Sequence, residues 1–233
     1  MKTEIYNLII LDESGSMDCV KRQTISGCNE TLNTIRSAQE KFADTQEHYV
    51  SIFAFQSDGK RPSRYIIKNA PAREVSDING ELYQPWGATP LYDAVGSTLV
   101  DLKSLVREKE MAIGNVTIIT DGMENASSRY TLRQVAKMIA ALKEEGWSFN
   151  FIGANIDVKA TAASLNIDNS LEFQQDDKGT QEMFAREARS RNRWFERTAQ
   201  ISYCIAPDGC SSPEERKKAK KKFKEASKNY FDI

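Results

Sequence analysis

The feature that most constrains this chain is the run Tyr6–Leu11 (YNLIIL), which carries no charge and stops abruptly at Asp12. A segment that is apolar towards both faces suits a central parallel strand covered by helices on either side. Beyond it, Asp12, Ser14 and Ser16 stand at alternate positions in the short sequence DESGS. In open sheets with parallel strands, ligands lie past the carboxyl ends of the strands, which is where these three side chains fall.

The rest of the chain repeats the strand-and-helix alternation. Further strands are expected at Tyr49–Gln56, Val116–Thr120, Ser148–Ile152 and Ser170–Phe173. Tyr65–Lys68 is too short for its alternation to be judged. Apolar residues at helical spacing predict helices over about Cys19–Ala43, from Leu91 to Val106, from Leu132 to a stop at Gly146, and near Val158–Leu165. Asn69–Gly87 has no sustained period and reads as a loop that delivers Thr89. Thr89-Pro90 reads as a helix start, with Thr at the cap and Pro where its missing N–H costs nothing. Asp177–Thr198 predicts another helix whose Arg and Glu run is read as a solvated face. Ser212-Pro213-Glu214-Glu215 opens a final helix with Ala219, Phe223, Ala226 and Tyr230 on one stripe. The whole is an α/β pattern, a doubly wound, Rossmann-like, mostly parallel sheet flanked by helices.

At 233 residues with 40% hydrophobic side chains, the chain suits one large domain, or one domain with an appendage. Leu8–Leu11 is too short for a secretory h-region and nothing approaches a membrane span, so a cytoplasmic address is expected. Cys19, Cys28, Cys204 and Cys210 show no zinc spacing and read as free thiols of a reducing compartment. Net charge is −1, yet Pro213–Ile233 carries eight basic against four acidic residues. The tail is basic and the body acidic.

One carboxylate and two hydroxyls are hard oxygen donors, suited to Mg²⁺, Mn²⁺ or Ca²⁺ rather than zinc, but too few alone for an ion that wants about six ligands. Asp121, ending a second apolar strand in ITDGMEN, and Thr89 in GATPL offer more. Together, DxSxS, the separate Thr of GATP and the later TDG with Asn125 resemble the von Willebrand factor type A (VWA) domain and its metal-ion-dependent adhesion site. The resemblance runs from about Ile5 to Ile205, dividing the chain into a VWA domain over 1–205 and a basic helical tail over 206–233. It implies one antiparallel edge strand at Tyr65–Lys68, and Mg²⁺ held by Asp12, Ser14, Ser16, Thr89 and Asp121. Ser14 and Ser16 would bind directly, Thr89 and Asp121 would exchange direct and water-mediated roles, and a partner protein's Asp or Glu would complete the shell. It also implies company such as an AAA ATPase or a stress-response complex. Trp86 and Met123 stand beside these residues, as a rim for a partner or as core.

Catalysis finds less support. A phosphatase of the haloacid-dehalogenase type needs an aspartate where Ser14 stands. A serine nucleophile needs a base, and His48, the one histidine, lies about 25 Å away by strand rise and is read as a surface or capping residue. No GxGxxG or GxxxxGK[ST] pattern occurs, so a nucleotide site is not expected. A metal-dependent phosphohydrolase stays as one alternative. The other is a tail that binds nucleic acid or an acidic protein through Lys217–Lys224, although such charge runs are first read as solvated faces.

Overall fold

A computed structural model of the chain describes residues 2–58, 61–205 and 212–232; Cys210 and part of the turn expected from the sequence over Ser57–Pro62 lie outside them. Strand β1 (Thr3–Asp12) is followed by a 3₁₀ turn (Gly15–Val20), helix α1 (Lys21–Lys41) and strands β2 (Gln46–Asp58) and β3 (Arg61–Pro71). Then come α2 (Leu91–Val106), β4 (Ala112–Thr120), α3 (Leu132–Glu144), β5 (Ser148–Gly153), α4 (Val158–Ser164) and β6 (Asn169–Glu172). Two helices, α5 (Asp177–Ile205) and α6 (Pro213–Ala226), close the described chain.

The six strands form one sheet in the order β3-β2-β1-β4-β5-β6, parallel throughout except for the β2–β3 edge pair. β1 is central, as its charge-free run requires. Ile5, Ile9 and Leu11 enter the layer under α1, α5 and α6, while Tyr6, Leu8 and Ile10 enter the layer under α2, α3 and α4. The strand order reverses direction between β1 and β4, so the crevice past Asp12 and Thr120 is the topological switch point of the sheet.

The edge strand β3 is longer than Tyr65–Lys68 alone suggests, because its register against β2 breaks at several points and obscures the alternation. α6 starts on a capping box between Ser212 and Glu215 with Pro213 in the first turn. Its Ala219 and Phe223, with Tyr230 and Phe231 beyond it, are buried in the α1/α5 layer. Lys220 and Lys224 face α3, 3.9 Å from Glu145 and 2.5 Å from Glu144. Gly146 ends α3 at φ 91°, and a Cβ there would stand 2.9 Å from the Lys220 carbonyl oxygen of α6, so glycine meets both the backbone and the packing demand.

Three expectations change. His48 is buried, because β2 starts at Gln46 and runs beneath α5; its ring lies edge-on to Phe195 at 4.7 Å and Nε2 pairs with the Gln46 side chain at 3.0 Å. Burial, assisted by the Arg191 charge, lowers its pKa to about 3. The charged run of α5 is only partly solvated. Arg191 is fully buried, donating to Glu187 Oε1 at 2.8 Å, Asn7 Oδ1 at 3.0 Å and Thr117 Oγ1 at 2.9 Å. Glu187 is equally buried, so this i,i+4 pair lies in the core rather than on a solvated face. Thr89, finally, does not cap α2; Pro90 takes the cap position, with no side-chain cap bond. No helix among the described residues is long and apolar enough to cross a membrane.

Candidate metal centre

Asp12 is the last residue of β1 and Asp121 follows the last residue of β4, so two neighbouring parallel strands bring both carboxylates to one end of the sheet. Asp12 is wholly buried on the central strand. Its Oδ1 accepts from the Ser14 N–H at 2.7 Å and its Oδ2 from the Thr120 hydroxyl at 2.6 Å. The first bond closes a tight turn just after the strand. Ser14 Oγ lies 3.2 Å from Ser16 Oγ, and the Ser16 hydroxyl donates to Asp121 Oδ1 at 2.8 Å.

The loop before α2 is stitched into the same cluster. Gly87, at φ 72°, accepts at its carbonyl from Gly15 N–H at 3.1 Å, and Trp86 N–H donates to the Glu13 carbonyl at 2.8 Å. On its other flank Ser57 exchanges two bonds with Ala88. Thr89 N–H donates to Asn125 Oδ1 at 2.8 Å while Asn125 N–H returns a bond to the Thr89 carbonyl at 3.2 Å. A Cβ on Gly122 would stand 3.4 Å from Thr89 Oγ1, so that buried hydroxyl faces the turn after Asp121. All five residues singled out from the sequence thus meet at one place.

Four residues that hold the cluster carry no comparable sequence signal. Glu13 is fully buried; its carboxylate accepts from Arg64 at 2.6 and 3.0 Å, from Gln56 Nε2 at 3.2 Å and from Gln84 N–H at 2.6 Å, tying β3 and the incoming loop to β1. Tyr83 donates its hydroxyl to the Asp12 carbonyl at 2.7 Å. Thr120 holds Asp12. Gln175, in the loop after β6, donates from Nε2 to the Ser16 carbonyl at 2.8 Å and to Asp121 Oδ2. Glu13 and Thr120 adjoin motif residues and were within reach; Tyr83 and Gln175 are linked to the site only by tertiary structure.

The electrostatics favour a cation. Burial pushes the Asp12 carboxyl up to about 6 against the lowering pull of the Thr120 and Ser14 bonds, and burial also raises Asp121. The Arg64 guanidinium is spent on Glu13. Two carboxylates held above their ordinary range beside three hydroxyls make an oxygen-only donor set of the kind a hard divalent ion takes. Adjacent ligands of an octahedral ion with bonds near 2.1 Å lie about 3 Å apart, and the Ser14–Ser16 oxygen separation of 3.2 Å matches that edge. Trp86 and Met123 flank the cluster as exposed side chains, at 67% and 73% of full accessibility.

No family model and no curated protein matches the sequence. Solved structures do match the fold. A von Willebrand factor type A protein from Catenulispora acidiphila superposes with a TM-score of 0.55 at 15% identity, over 82% of this chain and 43% of that one. The chain has the von Willebrand factor type A fold. The pilus adhesin SpaC from Lactobacillus rhamnosus GG gives this VWA fold a TM-score of 0.60 at 15% identity, over 84% of this chain and 30% of the adhesin. Proximal thread matrix protein 1 from the mussel byssus, solved with zinc in its MIDAS motif, gives 0.52 at 13% identity over 79% of this chain and 44% of that one. The chain therefore spans less than half the length of each of these proteins.

Proposed function

We propose that this VWA fold is a divalent-metal-dependent protein-interaction module. A Mg²⁺ ion, with Mn²⁺ or Ca²⁺ as substitutes, is held by Asp12, Ser14, Ser16, Thr89 and Asp121 and binds an aspartate or glutamate of a partner protein. The observation that carries this reading is the convergence of those five oxygen-bearing side chains, from three loops, at the switch point of the sheet. Mussel proximal thread matrix protein 1, of the same fold, holds zinc in its MIDAS motif; the oxygen-only set here favours a harder ion. The hydroxyls are neutral and the Ser16 O–H already donates to Asp121 Oδ1 at 2.8 Å. An ion bound at a lone pair of that hydroxyl would leave this bond intact, and Asp121 would reach the ion only through Ser16. Its positive charge then stays available to an external carboxylate.

The exposed Trp86 and Met123 give the partner an apolar contact on either side of that carboxylate. The reading is non-enzymatic, since His48 pairs in register with Ile5, at the opposite end of β1 from Asp12. A cytoplasmic setting accords with the free thiols at Cys19, Cys28 and Cys204. The AAA ATPase or stress-response company implied by the sequence resemblance belongs to the same proposal.

The test is a pull-down with the wild type and Ser14→Ala, in Mg²⁺ and in EDTA. Ser14→Ala removes a ligand oxygen and leaves the buried carboxylates in place. A protein partner retained only by the wild type in Mg²⁺, and released by millimolar acetate or glutamate, supports the reading. Retention of the same proteins in all samples would sink it.

A further inference from the structure

The Gln175 side chain, from the loop after the edge strand β6, reaches the metal cluster. Its amide is oriented by its surroundings. Oε1 accepts from Asn155 Nδ2 at 2.5 Å, and Nε2 donates both to the Ser16 carbonyl at 2.8 Å and to Asp121 Oδ2. The reverse orientation would aim Oε1 at a carboxylate and a carbonyl, two acceptors that an oxygen cannot satisfy. Asn155 is itself fixed, in a left-handed turn at φ 57° just after β5. Asp121 is thereby held from two sides, Oδ1 by the Ser16 hydroxyl and Oδ2 by the Gln175 amide.

We propose that Gln175 is a positioning residue that holds Asp121 outside the inner shell of the ion and so sets how strongly the site attracts an external carboxylate. This rests on the metal-centre reading above. For Oδ2 to become a direct ligand, the Asp121 carboxylate must turn away from the Gln175 donor, a hydrogen bond to a charged acceptor and among the stronger kinds in proteins. Without that donor, Oδ2 is free to turn to the ion. A carboxylate in the inner shell binds the ion more tightly, displaces a water and neutralises charge that a partner would otherwise meet. Gln175 thus exchanges metal affinity for partner affinity, and the two move in opposite directions when it is removed.

The experiment uses the full chain with Mn²⁺ alone, followed by electron paramagnetic resonance and water-proton relaxation, in the wild type, Gln175→Ala and Asn155→Gly. Asn155→Gly preserves the left-handed turn and removes only the bond that orients the amide. The expected result is Mn²⁺ binding about tenfold tighter in Gln175→Ala, the scale set by one lost bond to a charged group. One fewer inner-shell water accompanies it, and acetate binds the Mn²⁺ complex more weakly. Asn155→Gly shifts all three readouts the same way by less. A residue that merely braces the loop would weaken metal and acetate binding together. Equal affinity and hydration in wild type and Gln175→Ala, or weaker binding of both ligands in a folded variant, would overturn the proposal and leave the metal centre standing. Absence of Mn²⁺ binding in the wild type would overturn both.

Discussion

Replacing Arg191 by methionine tests how far the polar layer beneath α5 governs the stability of this fold. The guanidinium is fully buried and contacts Glu187, Asn7 and Thr117, so it links α5 to β1 and β4. Methionine fills much of the volume but leaves the buried Glu187 carboxylate with only long contacts, from the Thr31 hydroxyl at 3.5 Å and the Tyr230 hydroxyl at 3.4 Å. Breaking a buried pair by removing one partner costs about 3–5 kcal/mol. Urea unfolding at pH 7 is the assay. We expect a deficit of about 4 kcal/mol, largely recovered in Glu187→Met/Arg191→Met. A deficit under about 1 kcal/mol is typical of a solvated pair and would mean that Arg191 and Glu187 do not pair in the core.

His48 is the one histidine of the chain, so its ring resonances are unambiguous in a pH titration by NMR. With its pKa lowered to about 3, it should stay neutral through pH 5. The unfolded chain binds that proton at about 6.5, so this residue supports folding fully above that value and progressively less as pH falls towards 3; titration near 6.5 in the native protein would place the ring in water. Gly146→Ala should cost about 2 kcal/mol or more, from a left-handed backbone and a forced contact with the α6 carbonyl of Lys220. Thermal unfolding unchanged in that variant would mean that α6 does not dock where the structure has it.

Much of this was legible in the residues, and the exceptions share a cause. The charge-free run of β1 and the helical spacings that follow it announce a parallel sheet wrapped by helices, because burial on both faces leaves a periodicity that survives without tertiary knowledge. Asp12, Ser14, Ser16, Thr89 and Asp121 were visible because each sits at an element boundary. His48 and Arg191 were misjudged as surface groups, since a polar residue in a strand or helix looks the same whether it faces water or a buried partner. Arg191 finds Asn7 and Thr117, 184 and 74 residues away in sequence. Gln175 reaches Asp121 across 54 residues by the same kind of long-range contact. Thr89 looked like a helix cap because Thr-Pro has that local meaning; the reciprocal bonds with Asn125 override it.

The proposed metal centre requires the three loops at the switch point to hold one divalent ion. Its most direct test is an amide NMR titration of the ¹⁵N-labelled full chain with Mg²⁺, beside Asp121→Ala. Saturable shifts confined to residues 12–17, 86–90 and 120–125 together with Gln175, reversed by EDTA and lost in the variant, are the expected result. Shifts spread over the acidic surface, or none at millimolar Mg²⁺ in the wild type, would contradict it.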